Sequence, residues 1–269
     1  MLEIYAKGEA YLSPDEFVEG TQSLSGLLRA REDVRRVRRH IARGALLEIG
    51  PGRGTFLAAA RRRGFDVYGV ELNPIQREFI GEHYGIPCVD SLEAASDLNG
   101  GQFDLIYHRD VLSHFYDPHA EMANLRALLR PGGFHIFETG NLADVDHRYL
   151  RLIRSFQYPD HLFFYGDRSL ALLLEQTGFD HVRTYRYSVL PERWVRSKLT
   201  RLRGGANAAS VEQHGHDAAP TGAEGAASSL GALARQSLDL FYYGLHRTVD
   251  ALPTGTEVPQ TLIVVARRR

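Results

Sequence analysis

Ala45-Leu46-Leu47-Glu48-Ile49-Gly50-Pro51-Gly52-Arg53-Gly54-Thr55 decides how the rest of this chain is read. The run from Ala45 to Ile49 predicts a buried strand that feeds a glycine-rich turn, and the alanine-rich stretch Phe56 to Arg63 predicts a helix after it. Glycines at positions 50, 52 and 54 let the backbone turn sharply, and a ligand can approach with no Cβ in the way. The N–H groups that open the following helix are available to a polar or negatively charged ligand. Open α/β sheets carry such ligands outside the C-terminal ends of their strands.

The spacing of the glycines separates two ligand classes. Dinucleotide-binding folds use G-x-G-x-x-G, whose third glycine packs helix against strand. Here the pattern is G-x-G-x-G, with Glu48 two residues ahead of the first glycine. Asp66 to Glu71 predicts a second strand ending in an acid, and Ile86 to Val89 a short third strand followed by Asp90 and Ser91. Phe103 to Pro118 reads as a fourth strand with its loop, and Leu129 to Glu138 as a helix end, a tight turn and a fifth strand. Five segments in this order and spacing resemble the S-adenosylmethionine (SAM)-dependent class I methyltransferases, most closely the ubiquinone-biosynthesis-like group (methyltransferase type 11/23). The resemblance covers Gly44 to Ser188, with a last strand returning at Thr261 to Ala266.

The resemblance implies an α/β fold, a doubly wound Rossmann-like sheet of seven strands, mostly parallel, whose antiparallel last strand enters at the sheet edge region. It implies SAM as cofactor. Glu48, Gly50 and Gly52 would hold its methionine part, with Gly54 completing the turn. Glu71 would take the ribose hydroxyls and Leu72 follows it in the cofactor-binding set. Asp90 and Ser91 would lie near the adenine, and His108 with Arg109 after strand four. The implied activity is methyl transfer to a small-molecule acceptor, with O- or C-methylation favoured and a sugar, quinone, aromatic or natural-product acceptor expected.

The acceptor side departs from the family at one position. His114 aligns with the histidine of the family's Glu-His pair, but Ser113 stands where the glutamate would, so no carboxylate is available there. Tyr158 to Tyr165 resembles the segment that roofs the acceptor pocket. His161, His114 and Tyr165 are therefore the candidates to orient or deprotonate an acceptor, set against the plainer reading of a hydrogen-bonded histidine and a packed tyrosine. Aromatic residues crowd the stretch from Tyr149 to Tyr187; those that face the cleft would favour an apolar or ring-containing acceptor.

Two other function classes compete with this reading. An NAD(P)-dependent oxidoreductase is disfavoured by the glycine spacing, by Arg130-Pro131-Gly132-Gly133 and by the lack of Tyr-x-x-x-Lys. A non-catalytic SAM-binding accessory protein would share every cofactor motif and differ only on the acceptor side.

Composition narrows the setting. The chain has 269 residues, 43% of them hydrophobic, enough for one α/β domain with additions or at most two small ones. Its 32 Lys plus Arg and 33 Asp plus Glu cancel, so no global field draws it to nucleic acid or to an anionic membrane. Along and just before the basic run from Arg29 to Arg43 the apolar residues Leu27, Leu28, Val34, Val37 and Ile41 recur at helical spacing, which predicts a helix with a solvated arginine face. One cysteine, Cys88, precludes an intrachain disulfide or a cysteine metal cage, and no His/Asp/Glu group has metal-ligand spacing. Without a basic leader or a run of about 18 apolar residues, a cytoplasmic protein without stable membrane insertion is expected.

The organisation read from the sequence is an N-terminal helical segment (1–43), a SAM-binding core (44–190), a basic segment (191–203), a disordered insertion (204–227), and a C-terminal helix with the last strand (228–269). The insertion is called disordered because its Gly, Ala and Ser content cannot offset ordering entropy. The C-terminal helix is amphipathic; packing on the sheet or on a second copy, compatible with a homodimer, is favoured over a membrane surface.

Overall fold

The computed structural model describes residues 24–150, 161–188, 236–241, 243–244 and 255–269. The basic segment, the insertion and most of the C-terminal helix lie outside the described residues, as do the first 23 residues and Tyr158 of the roofing segment. Strands alternate with helices: α1 (Leu24–Val37), β1 (Gly44–Ile49), α2 (Thr55–Arg61), β2 (Phe65–Val70), α3 (Pro74–Phe79), β3 (Cys88–Val89), β4 (Phe103–Arg109), α4 (Pro118–Leu128), β5 (Leu129–Gly140), α5 (His147–Leu150), α6 (Asp167–Gln176), β6 (Phe179–Ser188) and β7 (Gln260–Arg268).

The strands form one seven-stranded sheet in the order β3-β2-β1-β4-β5-β7-β6. β1 is parallel to β2 and β4, and β4 to β5, while β7 is antiparallel to both β5 and β6. The expected antiparallel last strand is thus present in the edge region of the sheet, between β5 and the edge strand β6. β7 carries an apolar run, Leu262 to Ala266, each residue at most 2% exposed, and only an interior strand covers both faces of such a run.

Each face has its own core, as a doubly wound sheet requires. Ala30, Val34 and Val37 of α1 and Phe56, Leu57 and Ala60 of α2 pack on Leu46, Tyr107, Ile136 and Ile263. On the other face, Met122 and Leu125 of α4 and Leu170, Leu173 and Leu174 of α6 pack on Leu47, Ile106, Phe137 and Val264. Neighbours Leu46 and Leu47 are both 0% exposed, on opposite faces, which explains the unbroken apolar run that marked β1.

Two local expectations need correction, and one helix start is worth its own account. The arginine face of α1 is not wholly solvated: Arg36 is buried, its guanidinium 2.6 Å from Asp33 Oδ1 and over the Tyr187 ring at 4.9 Å. Helix α6 starts at Asp167. Its first N–H groups are met by Asp144 Oδ2, which accepts from Asp167 at 2.7 Å, and by Ser169 Oγ, which accepts from Gly166 at 2.9 Å. The Asp167 carboxylate instead takes both of its bonds from Arg186, each 2.6 Å long. Finally, Pro131-Gly132-Gly133 lies inside the span of β5, where the register with β4 shifts between Phe103 and Leu105. The irregularity takes up the turn that was expected to stand before the strand.

Candidate functional site

The glycine turn leaves β1 at the C-terminal edge of the sheet, and its backbone is what the sequence pattern requires. Gly50, Gly52 and Gly54 have φ of 68°, 54° and 68°, a region side chains with a Cβ rarely adopt. A Cβ on Gly52 would meet only Gln76 Oε1, at 3.9 Å, so the turn presents an open cradle. A Cβ on Gly50 would lie 3.1 Å from Val111 Cγ2, so the segment after β4 forms the opposite wall. Gly54 is the N-cap of α2 and makes no side-chain hydrogen bond to its first turn.

Glu71 faces this cradle from the end of β2. It is 8% exposed; Oε2 accepts from the Gly52 N–H at 3.1 Å and Oε1 from the Asn73 N–H at 2.9 Å. Burial pushes the carboxyl up from its ordinary range, while the N–H groups of Asn73 and Gly52 and the Arg77 guanidinium pull it back. A carboxylate has about four acceptor positions, so the backbone N–H groups that Glu71 receives do not exhaust it. Asn73 caps α3 by accepting from the Ile75 and Gln76 N–H groups at 3.0 and 3.2 Å. The turn and the acid fit a ligand with an amino-acid end and a ribose. Leu72 is 37% exposed beside Glu71; Asp90 is exposed, and Ser91 Oγ accepts from the Ala94 N–H at 3.2 Å.

His108 and Arg109 end β4 in other company than expected. The His108 ring is 0% exposed and stacks on Phe137 at 5.2 Å and 19°, 4.9 Å from the buried His135 ring. A side chain with no exposed surface does not offer it to a cofactor, so the His108 assignment is corrected to a core position. Its pattern misled because the β4 residues on that face point into the helix α4 and α6 core. The Arg109 guanidinium is paired with Asp33 of α1, and its Nε lies 3.6 Å from Glu138 Oε2.

The acceptor candidates are brought together in part. His114 closes a short 3-10 turn, Leu112–His114, and its ring lies 4.7 Å from that of His161, tilted by 44°. The Ser113 carbonyl makes this possible: it accepts from the N–H groups of Leu162 at 2.8 Å and Phe163 at 3.3 Å, stapling the loop before α6 to the turn after β4. Ser113 is itself buried, so the position that carries a glutamate in the family is here a backbone anchor. Phe163 and Phe164 are 39% and 44% exposed beside the pair, and the Phe164 ring is parallel to His161 within 10° at 6.5 Å.

Tyr165 does not belong to this group. It is 6% exposed within the α4–α6 core, and its hydroxyl reaches the Leu112 carbonyl at 3.5 Å. Burial pushes the phenol up, so its role as acceptor base is corrected to packing beneath the loop. Among the other aromatic residues of this region, Phe179 and Tyr187 are also core. Asp33 and Glu138 were missed in the sequence; the only trace was Asp33 three residues before Arg36 on a helix, a spacing that pairs side chains. Asp110, with φ of 53°, was missed as well, since nothing local marks a non-glycine residue in the left-handed region. Among the described residues no three His, Cys, Asp or Glu side chains gather as metal ligands, and no helix is long and apolar enough to cross a membrane.

A family model of the methyltransferase domain matches residues 25–184. The ubiquinone biosynthesis O-methyltransferase of Cereibacter sphaeroides is 33% identical over 101 residues, 36% of this chain and 41% of that protein. The chain thus spans about two fifths of the length of the curated relatives it matches. Among solved structures, a SAM-dependent methyltransferase from Archaeoglobus fulgidus is similar with a TM-score of 0.54 at 16% identity, covering 94% of this chain and 97% of that one. The [4+2]-cyclase SpnF is similar with a TM-score of 0.52 at 16% identity, covering 93% of this chain and 85% of that one. These likenesses establish a shared Rossmann-like fold.

Proposed function

The chain belongs to the methyltransferase-domain family, and on that premise we propose that it transfers a methyl group from SAM to an oxygen or carbon of a small-molecule acceptor. The observation that carries the acceptor half is the His114–His161 pair, 4.7 Å between rings, at the edge of the sheet where the glycine turn also opens. SAM supplies an activated sulfonium methyl when bound. The chain then has to hold donor and acceptor in line, an arrangement worth several kcal/mol by itself. Glu48 and the turn Gly50 to Gly54 hold the amino-acid end. Glu71 takes the ribose hydroxyls, and Leu72, Asp90 and Ser91 border the adenine.

An oxygen or activated-carbon acceptor must lose a proton, and His161 with His114 is placed to take it. Phe163 and Phe164, both exposed next to His161, favour a ring-containing acceptor of the quinone, aromatic or natural-product kind over a nucleic acid, which would call for a basic cleft. That a relative is named an O-methyltransferase supports oxygen as the acceptor atom. We place the reaction in the cytoplasm, a reducing compartment in keeping with the single half-buried thiol of Cys88, pushed up to about 12 chiefly by burial.

Turnover with isotopically labelled SAM and a metabolite extract tests the proposal. Label in a small molecule is expected; SAM binding with no labelled product would leave an accessory role, in line with a fold that also serves a protein named a cyclase. The cofactor half has its own check. Glu71→Ala removes the ribose acceptor and the brace of Gly52, and is expected to weaken SAM binding by about 1.5–3 kcal/mol, the scale of hydrogen bonds to charged groups. Unchanged affinity by calorimetry would remove Glu71 from the site.

A further inference from the structure

The α1 face of the sheet gathers cations around one histidine. His40, just past α1, lies between two aromatic rings: its Nε2 is 3.1 Å from the Tyr185 hydroxyl of β6, and its ring is 6.0 Å from that of Phe134 on β5. Each of those rings carries a guanidinium. Arg183 lies 4.8 Å from the Tyr185 centroid, with Arg36 at 5.4 Å, and Arg267 of β7 lies 5.8 Å from the Phe134 centroid. Arg36 is held by Asp33, but Arg183 and Arg267 are exposed, as is Arg39 beside His40. Arg183 is the register partner of Val265, two residues before Arg267. The two arginines are therefore diagonal neighbours on one face, about 7–8 Å apart.

Charge there is one-sided. Asp180, the register partner of Arg267, is paired with Arg269 at 2.7 Å, so a single carboxylate stands against the guanidinia of Arg183, Arg267 and Arg269, with Arg39 on the α1 side. The imbalance registers on His40, which burial, and then the Arg183 and Arg39 charges, hold below its ordinary value. Stacking on a ring fixes both exposed guanidinia, and Arg267 Nε also donates to the Gly132 carbonyl at 3.0 Å, so little freedom is left to lose on binding. Planar guanidinia with paired N–H edges suit the oxygens of phosphate. Because the rings already carry guanidinia, they are not offered to a stacking base, which favours a phosphate ligand over single-stranded RNA. Through Leu105 of β4, Phe134 is level with Leu46, in the first half of β1, so the cluster lies two strands across from the glycine turn and below it.

We propose that Arg183, Arg267 and Arg39, grouped about His40, form a second binding site on the α1 face, for a ligand that carries two or more phosphate charges. The site does not depend on the methyl-transfer reading. Two sources carry that chemistry, a free polyphosphate and a phosphorylated lipid headgroup, and the experiment separates them.

Calorimetric titration of the full chain with inorganic tripolyphosphate, at about 0.15 M salt so that diffuse attraction is screened, tests the site. Wild-type protein is expected to bind. Arg183→Gln and Arg267→Gln are each expected to weaken binding about tenfold, the weight of one charge-assisted hydrogen-bonding partner. Arg168→Gln, on α6 across the sheet, removes the same charge and is expected to change nothing. In wild-type protein the titration midpoint of His40, followed by NMR, is expected to rise when the probe binds, because a nearby anion favours the imidazolium. Vesicles of phosphatidylcholine, with or without a phosphoinositide, assign the source. Co-sedimentation that needs the phosphoinositide and is lost in Arg183→Gln assigns a headgroup, and tripolyphosphate binding without it assigns a free polyphosphate. Failure of both probes, equal losses in all three variants, or an unmoved His40 midpoint with a bound probe would overturn the proposal. The methyl-transfer reading stands whichever of these is found.

Discussion

Lowering the pH from 7 to 5 is expected to destabilise the fold by a few kcal/mol through His108 and His135. Both rings are 0% exposed, packed among Phe115, Phe137 and Phe179, and none of their four nitrogens has a hydrogen-bonding partner among the described residues. Burial pushes His108 well below its ordinary value, with His135 adding to it, and burial pushes His135 down to about 3. In the unfolded chain both titrate near 6.5. Between that value and the depressed folded ones the unfolded state binds two more protons than the native state, so stability is whole above pH 6.5 and falls as the pH drops. Each imidazole that stays neutral in the fold contributes to this loss as the unfolded chain takes up its proton below pH 6.5. Urea denaturation at pH 7, 6 and 5 measures the slope. His135→Phe should halve it and cost little at pH 7, because an apolar ring suits this site better than one with unmet polar atoms. A variant with the wild-type slope would show that His135 is not a source of the acid sensitivity.

His161→Ala is expected to lower turnover by roughly 10²–10⁴-fold, the usual weight of general-base assistance, with SAM affinity unchanged. His161 stands beside His114 on the acceptor side, in a loop held by two N–H bonds to the Ser113 carbonyl. Removing the ring should therefore leave the cofactor half intact. His114→Ala is expected to fall short of this loss if His114 only orients its neighbour, and to match it if His114 takes the proton. Tyr165→Phe should retain turnover, since its hydroxyl is spent on the Leu112 carbonyl inside the core. Steady-state rates with labelled SAM, paired with calorimetry, check all three variants. Full turnover in both histidine variants would mean that the chemistry is positioning alone, and an acceptor needing no base, such as an amine or thiolate, would replace the oxygen or carbon acceptor.

Much of this protein was legible in the sequence by itself, and for local reasons. An unbroken apolar run at Ala45 to Ile49 suits a strand buried on both faces, and three alternating glycines serve a turn whose φ values are all positive. An acid at the end of the next strand stands close enough to accept from that turn, so Glu71 could be placed from spacing and resemblance. The order of strands and helices then leaves few ways to wind the sheet. What tertiary structure alone decided is the company kept by long polar side chains. His108, Arg109 and Tyr165 fell in motif positions, yet one ring is sealed in the core, one guanidinium is taken by Asp33, and one hydroxyl is spent beneath a loop. Arg109 and Asp33 are 76 residues apart, and no periodicity carries information over that distance. Backbone conformation follows from neighbours in the chain, whereas the partner of a buried charge is set by which distant element the hydrophobic faces bring against it.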